Sequence, residues 1–413
     1  MTRIRTAEPC RSQGVIHWEL PEDTLPQDHR ARLLWRVVET LDLSRFTRNA
    51  KAIEGVAGRR ALSTRMLLTL WLYAISIGIG SAREIARRVV SDTVFRWIVG
   101  DQRVGHSKLS EFRGSHREAL DHLLTDILGT LIHRELITLD VVAQDGTRVR
   151  ANAAGSSFRR ASTLEQCREQ AALHVKAVLA EAEDPETSSA EFKARLAAAR
   201  DYERRIGEAI AVVQDLQLGG KEEPRASTTD AEARIMKMAD GGFRPGYNVQ
   251  LATVGSEFGG PRTVVGVRVT NVGTDRRSIT PMLNEIERRT GRLPSTILAD
   301  GDHATVECIT NATQRGVVPV IASKKKEDHL LPPKLYAYDT KEMIAWRERM
   351  KQGNFRALYR VRAGLCEFTN ARLKGNQGIQ QFLVRSIEKV TCVALLAALS
   401  ANIVSHASAL LTL

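Results

Sequence analysis

The stretch Leu139–Ala153, which reads LDVVAQDGTRVRANA, constrains the fold more than any other part of the chain. Its apolar run Val141–Ala143 has β propensity and predicts a buried strand. The strand is expected to end at Asp145, because Gly146 lets the backbone turn. A carboxylate at a strand end faces whatever approaches that edge of the sheet. The alternative is an ordinary turn aspartate with a solvated basic flank.

The charge balance of the whole chain points to a polyanionic partner. The chain has 413 residues, of which 43% are hydrophobic, and this composition allows two or three globular domains. Lysine and arginine number 60 against 48 acidic residues, which gives a formal net charge of +12. Such a basic balance favours nucleic acid as the partner, although solubilising surface charge is the alternative explanation.

Cysteine usage and hydropathy indicate a reducing compartment and no membrane. The five cysteines form no CxxC motif and no cluster with histidine, so neither structural zinc nor disulfides are expected. The N-terminus has no apolar signal core. The long apolar segment at 393–413 is interrupted by polar residues, which predicts a helix packed on the core: Ser400, Asn402, Ser405 and His406.

The pattern of elements predicts an α/β fold with helical additions. Residues 1–138 read as an all-helical domain for DNA binding or dimerisation, although a small bundle with solvated arginines is equally consistent. A second domain at 139–410 contains the strands, and a helical insertion at 160–225 follows the first of them. Within the insertion, Thr163–Gln217 reads as a hairpin of two long helices.

Two further acids follow the first along the chain. Asp300 comes directly after the β-leaning run Thr296–Ala299 and before Gly301. Glu367 lies in a predicted helix, on one face with Asn370 and Lys374 at i, i+3 and i+7. The opposite face of that helix is expected to be a buried stripe of Val361, Leu365 and Phe368.

Three carboxylates can share a site when cations neutralise them. Hard divalent cations with oxygen ligands, Mg²⁺ or Mn²⁺, suit Asp145, Asp300 and Glu367, and two such ions would support in-line phosphodiester chemistry. Arg148 and Arg362 would then bind phosphates together with the helix lysine. The alternative is three unrelated surface acids.

The order of several motifs resembles that of insertion-sequence transposases of the DDE class, in the branch with a Tyr-Arg-Glu-Lys signature. The first acid lies in an Asp-Gly-Thr stretch followed by basic residues and Ala-Asn-Ala. The second follows an alanine at a strand end, as Ala299-Asp300 does. The helix supplies Tyr359, Arg362, Glu367 and Lys374 in that order. The resemblance covers about residues 15–405.

The resemblance implies a ribonuclease H-like catalytic core with a helical insertion after its first strand. It also implies a cytoplasmic, nucleoid-associated enzyme of a bacterial mobile element. Such an enzyme cuts double-stranded DNA at the terminal inverted repeats with Mg²⁺ and joins the ends to target DNA, as a homodimer on two ends. Tyr359, Arg362 and Lys374 would contact DNA near the cut.

The chain departs from the family pattern in two places. His303 stands three residues after the second acid, where the family often has an aromatic residue. The interval from Arg362 to Glu367 is one residue longer than is common, which leaves Arg360 as an alternative to Arg362.

Several other assignments stay open from the sequence. Asp302 is an alternative second acid, Asp230 and Asp275 read as structural or DNA-proximal, and Lys324–Lys326 read as either a DNA contact or a solvated loop. A metal-dependent nuclease without strand transfer, and a non-catalytic DNA-binding protein derived from a transposase, are the alternative functions.

Overall fold

The structure is a computed structural model that describes residues 20–48, 60–100, 102–181, 190–256, 259–322, 337 and 339–412. The N-terminal segment, Cys10 and the lysines at 324–326 lie outside these ranges, and the sequence-based expectations for them stay predictions. The four described cysteines that remain are free thiols.

The described part of the N-terminal region is helical, as predicted. Ser81 begins the fourth helix by accepting a hydrogen bond from the Glu84 backbone N–H at 3.3 Å, which satisfies one of the amide groups left open at a helix start. The helices are α1 Arg30–Thr40, α2 Ser44–Thr47, α3 Thr64–Ser76, α4 Ala82–Ser91, α5 Thr93–Val99, α6 His106–Ser115 and α7 Arg117–His133.

A mixed six-stranded sheet follows the N-terminal helices. Its strands are β1 Val141–Arg150, β4 Arg234–Lys237, β5 Phe243–Ser256, β6 Gly259–Thr270, β7 Thr296–Ala299 and β8 Val318–Ile321. Their order is β4-β5-β1-β7-β8, and β6 pairs with β5. The pairs of β1 with β7 and of β7 with β8 are parallel, whereas β5 is antiparallel to β1, β4 and β6.

Strand β1 is longer than the sequence indicated. It pairs with β7 from Val141 to Ala143, but its pairing with β5 continues to Arg150. The expectation that the strand ends at Asp145 is therefore wrong, because β5 supplies hydrogen-bond partners on the other side. Asp145 lies just past the point where the parallel neighbour stops, so its carboxylate still stands at an opening in the sheet.

Helices from the C-terminal part of the chain cover the sheet. The helix that carries the third acid is α13, Gly353–Ala371, and it continues into a π-helix at Arg372–Asn376. The other helices of this part are α10 Ile279–Thr290, α11 Val306–Gln314, α12 Lys341–Lys351 and α14 Ile387–Leu411.

The predicted helical insertion is a pair of long helices that pack on each other. They are α8, Ala161–Ala180, and α9, Ala190–Leu218. The short strand β2, Phe158–Arg160, comes before these helices in the chain, and β3, Arg225–Ser227, comes after them. The two strands pair with each other. The insertion is therefore held at its base by a two-stranded sheet that is separate from the main one.

Helix α14 is a core helix, as predicted from its polar interruptions. Each of those polar groups has a partner: Ser400 Oγ donates to Leu72 O at 2.9 Å, and the Arg372 guanidinium donates to Ser405 Oγ at 2.8 Å. The Asn402 amide exchanges two hydrogen bonds of 2.8 Å with the backbone of Val264 in β6. This helix is long and apolar enough to cross a membrane, but 89% of its apolar window is buried in the protein.

The N-terminal helices and the sheet share one hydrophobic core. A single cluster of buried side chains extends from Leu25 through the N-terminal helices, β5 and β6 to Leu410 of α14. A polar contact adds to this junction, because the fully buried Arg289 side chain of α10 donates to the Asp121 carboxylate of α7. The two predicted domains are thus joined by packing as well as by the chain.

Candidate active site

Asp145 is the central acid of the site. Its Oδ1 accepts the Gly146 backbone N–H at 2.9 Å, and its Oδ2 accepts the Asn370 side-chain amide at 3.0 Å. Burial raises the pKa of Asp145 above its usual value; the Arg362 guanidinium opposes this, and the negative charge of Asp300 adds to it. The two aspartates are therefore close enough to interact electrostatically.

Asp300 is held by the turn that follows β7. Its Oδ1 accepts the Asp302 backbone N–H at 3.0 Å and lies 2.6 Å from His303 Nδ1. Burial would raise the pKa of Asp300, but the hydrogen bond and charge of His303 outweigh it, so the pKa is lowered. The His303 side chain is fully buried. Of the two acids left open by the sequence, Asp300 is the one that interacts with Asp145, whereas Asp302 is exposed.

Helix α13 reaches Asp145 with side chains spaced four residues apart. Arg362 Nη1 lies 3.8 Å from Asp145 Oδ2, and Asn370 donates to the same oxygen. Cys366 lies between them and is buried, and burial raises the pKa of its thiol to about 12, with the negative charge of Asp145 adding to the shift. Positions i, i+4 and i+8 fall on one helix face, which explains why these residues meet one strand.

Glu367 is not brought to the two aspartates in this structure. It is exposed, one position around the helix from the face that meets Asp145. Within the described ranges, no three side chains of histidine, cysteine, aspartate or glutamate stand close enough to hold an ion together. The expected buried stripe is also partly wrong: Leu365 is buried, but Phe368 is 47% exposed, and the Arg262 guanidinium lies 4.4 Å from its ring centroid.

Basic side chains surround the acids. Of the two arginines left open, Arg362 lies at Asp145 and over the Tyr359 ring at 5.6 Å, whereas Arg360 is exposed. Lys374 lies in the π-helix, and burial lowers its pKa; the charge of Arg148 adds to the shift and that of Asp145 opposes it. Lys374 and Arg148 are therefore neighbours of the site.

A buried polar network lies beneath Gly146. Asp275 accepts hydrogen bonds from Asn248 Nδ2 at 2.7 Å, Gln250 Nε2 at 2.5 Å and Arg148 Nη2 at 3.3 Å. A Cβ atom on Gly146 would overlap the Gln250 amide and the Asp275 carboxylate. Gly146 therefore serves close packing and not a turn, which corrects the sequence-based expectation for this glycine.

Comparison with protein families supplies the identity that this geometry suggests. A transposase DDE domain matches residues 220–403, and a transposase domain (DUF772) matches residues 19–115. The chain carries a transposase DDE domain. The two matches together cover about two thirds of the chain and support an insertion-sequence transposase of the DDE class. No curated protein and no solved structure matches it.

These matches support a class for the protein and imply the class of its partner. A DDE transposase is an enzyme of mobile elements that acts on DNA, in agreement with the predicted transposase and with the basic net charge. The DDE domain also implies a ribonuclease H-like fold, and the mixed sheet flanked by helices is consistent with it.

The side chains at the transposase site suit a hard divalent cation. Asp145 and Asp300 offer carboxylate oxygens, which Mg²⁺ and Mn²⁺ prefer. Beside them, the buried Asn370 Oδ1 has no hydrogen-bond partner in the part of the chain that the structure describes, although buried polar atoms nearly always have one. Two carboxylates and an amide oxygen that has no partner among the described residues therefore lie in one region, and Arg362 Nη1 is 3.8 Å from Asp145 Oδ2.

Sequence reasoning missed two features of this site. It placed Asn370 on the face of Glu367 but gave the asparagine no role, and it noted His303 as a departure from the family pattern without predicting its contact with Asp300. The i, i+4, i+8 spacing of Arg362, Cys366 and Asn370 was the available signal for the first. No sequence signal indicated that His303 would turn back onto Asp300.

Proposed function

We propose that this transposase cuts DNA at the terminal inverted repeats of its own insertion sequence and joins the ends to target DNA. The observation that carries the proposal is the meeting of Asp145 and Asp300 beside β1 and β7, in a chain with a transposase DDE domain. The proposed metal ligands are Asp145, Asp300 and Glu367, with Mg²⁺ or Mn²⁺ as the ions. When bound, a pair of such ions supplies Lewis-acid chemistry for in-line phosphodiester displacement.

The chain's own residues have distinct parts in this proposal. His303 fixes one oxygen of Asp300, which leaves the other oxygen free to face the site. Arg362, already near Asp145, binds a DNA phosphate together with Tyr359, Arg148 and Lys374. Glu367 joins the two aspartates when DNA and the ions are present, by a change in α13.

The assembly we propose is a homodimer on two element ends. The N-terminal helices bind the end sequences, and α4 presents the exposed Arg83 and Arg87 for this purpose. The Tyr-Arg-Glu-Lys branch is part of the same proposal, because it assigns DNA contacts to Tyr359, Arg362 and Lys374. Sedimentation of the protein with a duplex end would show two protein copies for two duplexes.

The test is cleavage of a labelled duplex that carries the end sequence flanking the gene, with Mg²⁺ and with EDTA. We expect Asp145→Ala, Asp300→Ala and Glu367→Ala each to abolish metal-dependent cutting while DNA binding remains. Asp302→Ala is the matched control, because Asp302 is an exposed acid two residues from Asp300 and should still cut.

Each of the other outcomes supports an alternative function or a different second ligand. Cutting without joining to a target duplex would support the nuclease alternative. Binding without cutting under any divalent metal would support the DNA-binding alternative. Cutting by Asp300→Ala but not by Asp302→Ala would move the second ligand to Asp302.

A further inference from the structure

We infer that Asn370 is an oxygen ligand of the divalent ion at Asp145, in addition to the three acids of the proposed function on which this inference rests. Asn370 lies on α13 at the site, and its amide meets the Asp145 carboxylate directly. An asparagine amide carries a donor nitrogen and an acceptor oxygen at equal distance from its Cγ, and it exchanges them by a half turn about χ2.

The distance between the two side chains fits shared coordination. Asn370 Nδ2 is 3.0 Å from Asp145 Oδ2. After the half turn, the amide oxygen occupies the position of Nδ2 and lies at the same distance from the carboxylate oxygen. Neighbouring oxygens around octahedral Mg²⁺ stand about 3.0 Å apart, because each metal–oxygen bond is about 2.1 Å. The pair therefore has the spacing of two adjacent ligands.

The other atom of the amide supports the same conclusion. Asn370 Oδ1 is buried and has no hydrogen-bond partner among the described residues. An unpaired buried carbonyl costs on the order of 1–3 kcal/mol. In the arrangement observed, the oxygen keeps that cost; the half turn gives the oxygen a cation as its partner and moves the amide N–H groups into the place that the oxygen leaves.

The ion-free arrangement explains why the amide donates in this structure. Asp145 Oδ2 needs a positive or donor neighbour, and both the Asn370 amide and Arg362 at 3.8 Å supply one. An ion at Asp145 takes over that role. The amide then turns its oxygen inward, and Arg362 becomes available for a phosphate of the DNA.

The test measures Mn²⁺ binding to the full-length protein without DNA, by electron paramagnetic resonance. We expect Asn370→Ala to weaken binding about tenfold or more, as the loss of a ligand or its support does. We expect Asn370→Asp to bind Mn²⁺ at least as tightly as wild type, because it keeps an oxygen although it loses the donor N–H.

Asn311→Ala is the matched control. Asn311 also lies in a helix, and its buried amide oxygen also has no partner within the described ranges, but it makes no hydrogen bond to either aspartate. It should leave Mn²⁺ binding unchanged. Thermal unfolding of each variant distinguishes the loss of a ligand from the loss of the fold. The Mn²⁺ affinities of Asn370→Asp and Asn370→Ala can also be compared directly with each other.

Three results separate the possible failures. If Asn370→Asp weakens Mn²⁺ binding as much as Asn370→Ala, the residue acts as a donor and not as a ligand, and the inference is wrong. Binding that is lost in Asp145→Ala but within twofold of wild type in Asn370→Ala also overturns it, while the proposed ion site stands. Absence of any Asp145-dependent binding would overturn the ion site itself.

Discussion

Gly146 is the residue whose replacement by the smallest side chain should disturb the site most. A methyl group at this position overlaps Gln250 and Asp275 in the buried network. We expect Gly146→Ala to lower the free energy of unfolding by about 2–3 kcal/mol, because overpacking is combined with broken buried hydrogen bonds. Urea unfolding measures the change.

Gly129→Ala is the control for Gly146→Ala. Gly129 is exposed in the interior of α7, and a Cβ there meets nothing within 4 Å. Alanine in a helix interior should stabilise the protein by about 0.5–1 kcal/mol. Equal effects of the two substitutions would contradict the close-packing role assigned to Gly146.

His303 is expected to set the orientation of Asp300 and thereby the concentration of Mg²⁺ that cutting requires. His303→Phe keeps an aromatic ring but removes the donor to Asp300 Oδ1. The Mg²⁺ concentration needed for half-maximal cutting should rise about 10–100-fold, as for other groups that hold a ligand in place.

A donor at position 303 should restore that metal dependence. His303→Gln supplies an N–H and is expected to recover most of the activity at low Mg²⁺, with DNA binding unchanged in both variants. A His303→Phe protein with the wild-type Mg²⁺ dependence would show that the histidine only fills space beside Asp300.

At the residue scale, the positions of Asp145 and Asp300 at the sheet follow from local sequence, while their roles as metal ligands stay predictions. Asp145 and Asp300 could be predicted because each comes at or near the end of an apolar, β-leaning run. The contacts of Asn370 and Gly146 could not, since they depend on residues 225 and about a hundred positions away in the chain. The position of Glu367 as a ligand stays a prediction.

At the element scale, Asp230 joins the segment before β4 to the start of α14. Its Oδ1 accepts the Tyr247 hydroxyl at 2.8 Å and the Ser386 backbone N–H at 3.2 Å, while its buried Oδ2 has no hydrogen-bond partner among the residues described. Burial raises the pKa of Asp230, and the two hydrogen bonds only partly offset this. The charged form therefore opposes folding.

The sign of that pKa shift predicts a pH dependence. The pKa of Asp230 is higher in the folded protein than in the unfolded chain, where it is about 3.9. The contribution of Asp230 to stability is therefore fully present below a pH of about 3.9, and it is lost as the pH rises through the pKa of the folded state. Asp230→Asn keeps the acceptor and removes the charge. It should unfold at a higher temperature than wild type at pH 7, and the difference should shrink toward pH 4.

Asp230→Ala is the companion variant. It leaves the buried Tyr247 hydroxyl without an acceptor and should cost about 1–3 kcal/mol at either pH. A melting temperature for Asp230→Asn below that of wild type at pH 7 would contradict the raised pKa.

Helices were easier to predict from the sequence than strands at this scale. The helical character of the N-terminal region could be predicted because the pattern that indicates a helix is local. The length of β1 was not predictable, since β5 completes its hydrogen bonds a hundred residues later. The expected buried stripe on α13 was wrong at Phe368, which is 47% exposed and has the guanidinium of Arg262, a residue of β6, over its ring.

At the scale of the whole molecule, we expect that the part of the chain from 139 to 413 does not fold alone. Helix α14 packs against α1, α3, α6 and α7 as well as against β6, and one core contains them all. Without the N-terminal helices, a large apolar face of α14 is exposed to water. The fragment should aggregate or lack a cooperative thermal transition.

Co-expression of 1–138 with 139–413 provides the control for the fragment. The two pieces should associate and restore a soluble complex, because their contact is a hydrophobic core with the Arg289–Asp121 ion pair beside it. A monomeric 139–413 fragment with a cooperative transition of its own would show that the two regions are independent domains.

The sequence divided the chain at 138 because the helical pattern gives way to strands there. It could not show that α14, almost 250 residues later, completes the packing of the N-terminal helices. The predicted boundary therefore describes a change of secondary structure, and the common core is a property of the three-dimensional fold.

The strand pair that closes the base of α8 and α9 has an evolutionary consequence. Phe158 and Ser227 face each other across that pair, so the chain leaves the core and returns to it at nearly the same place. A segment tethered in this way can gain or lose helical turns, or be exchanged for another, without moving the sheet that carries Asp145. The sequence of the helical insertion can therefore change between relatives at a different rate from the sequence of the catalytic site.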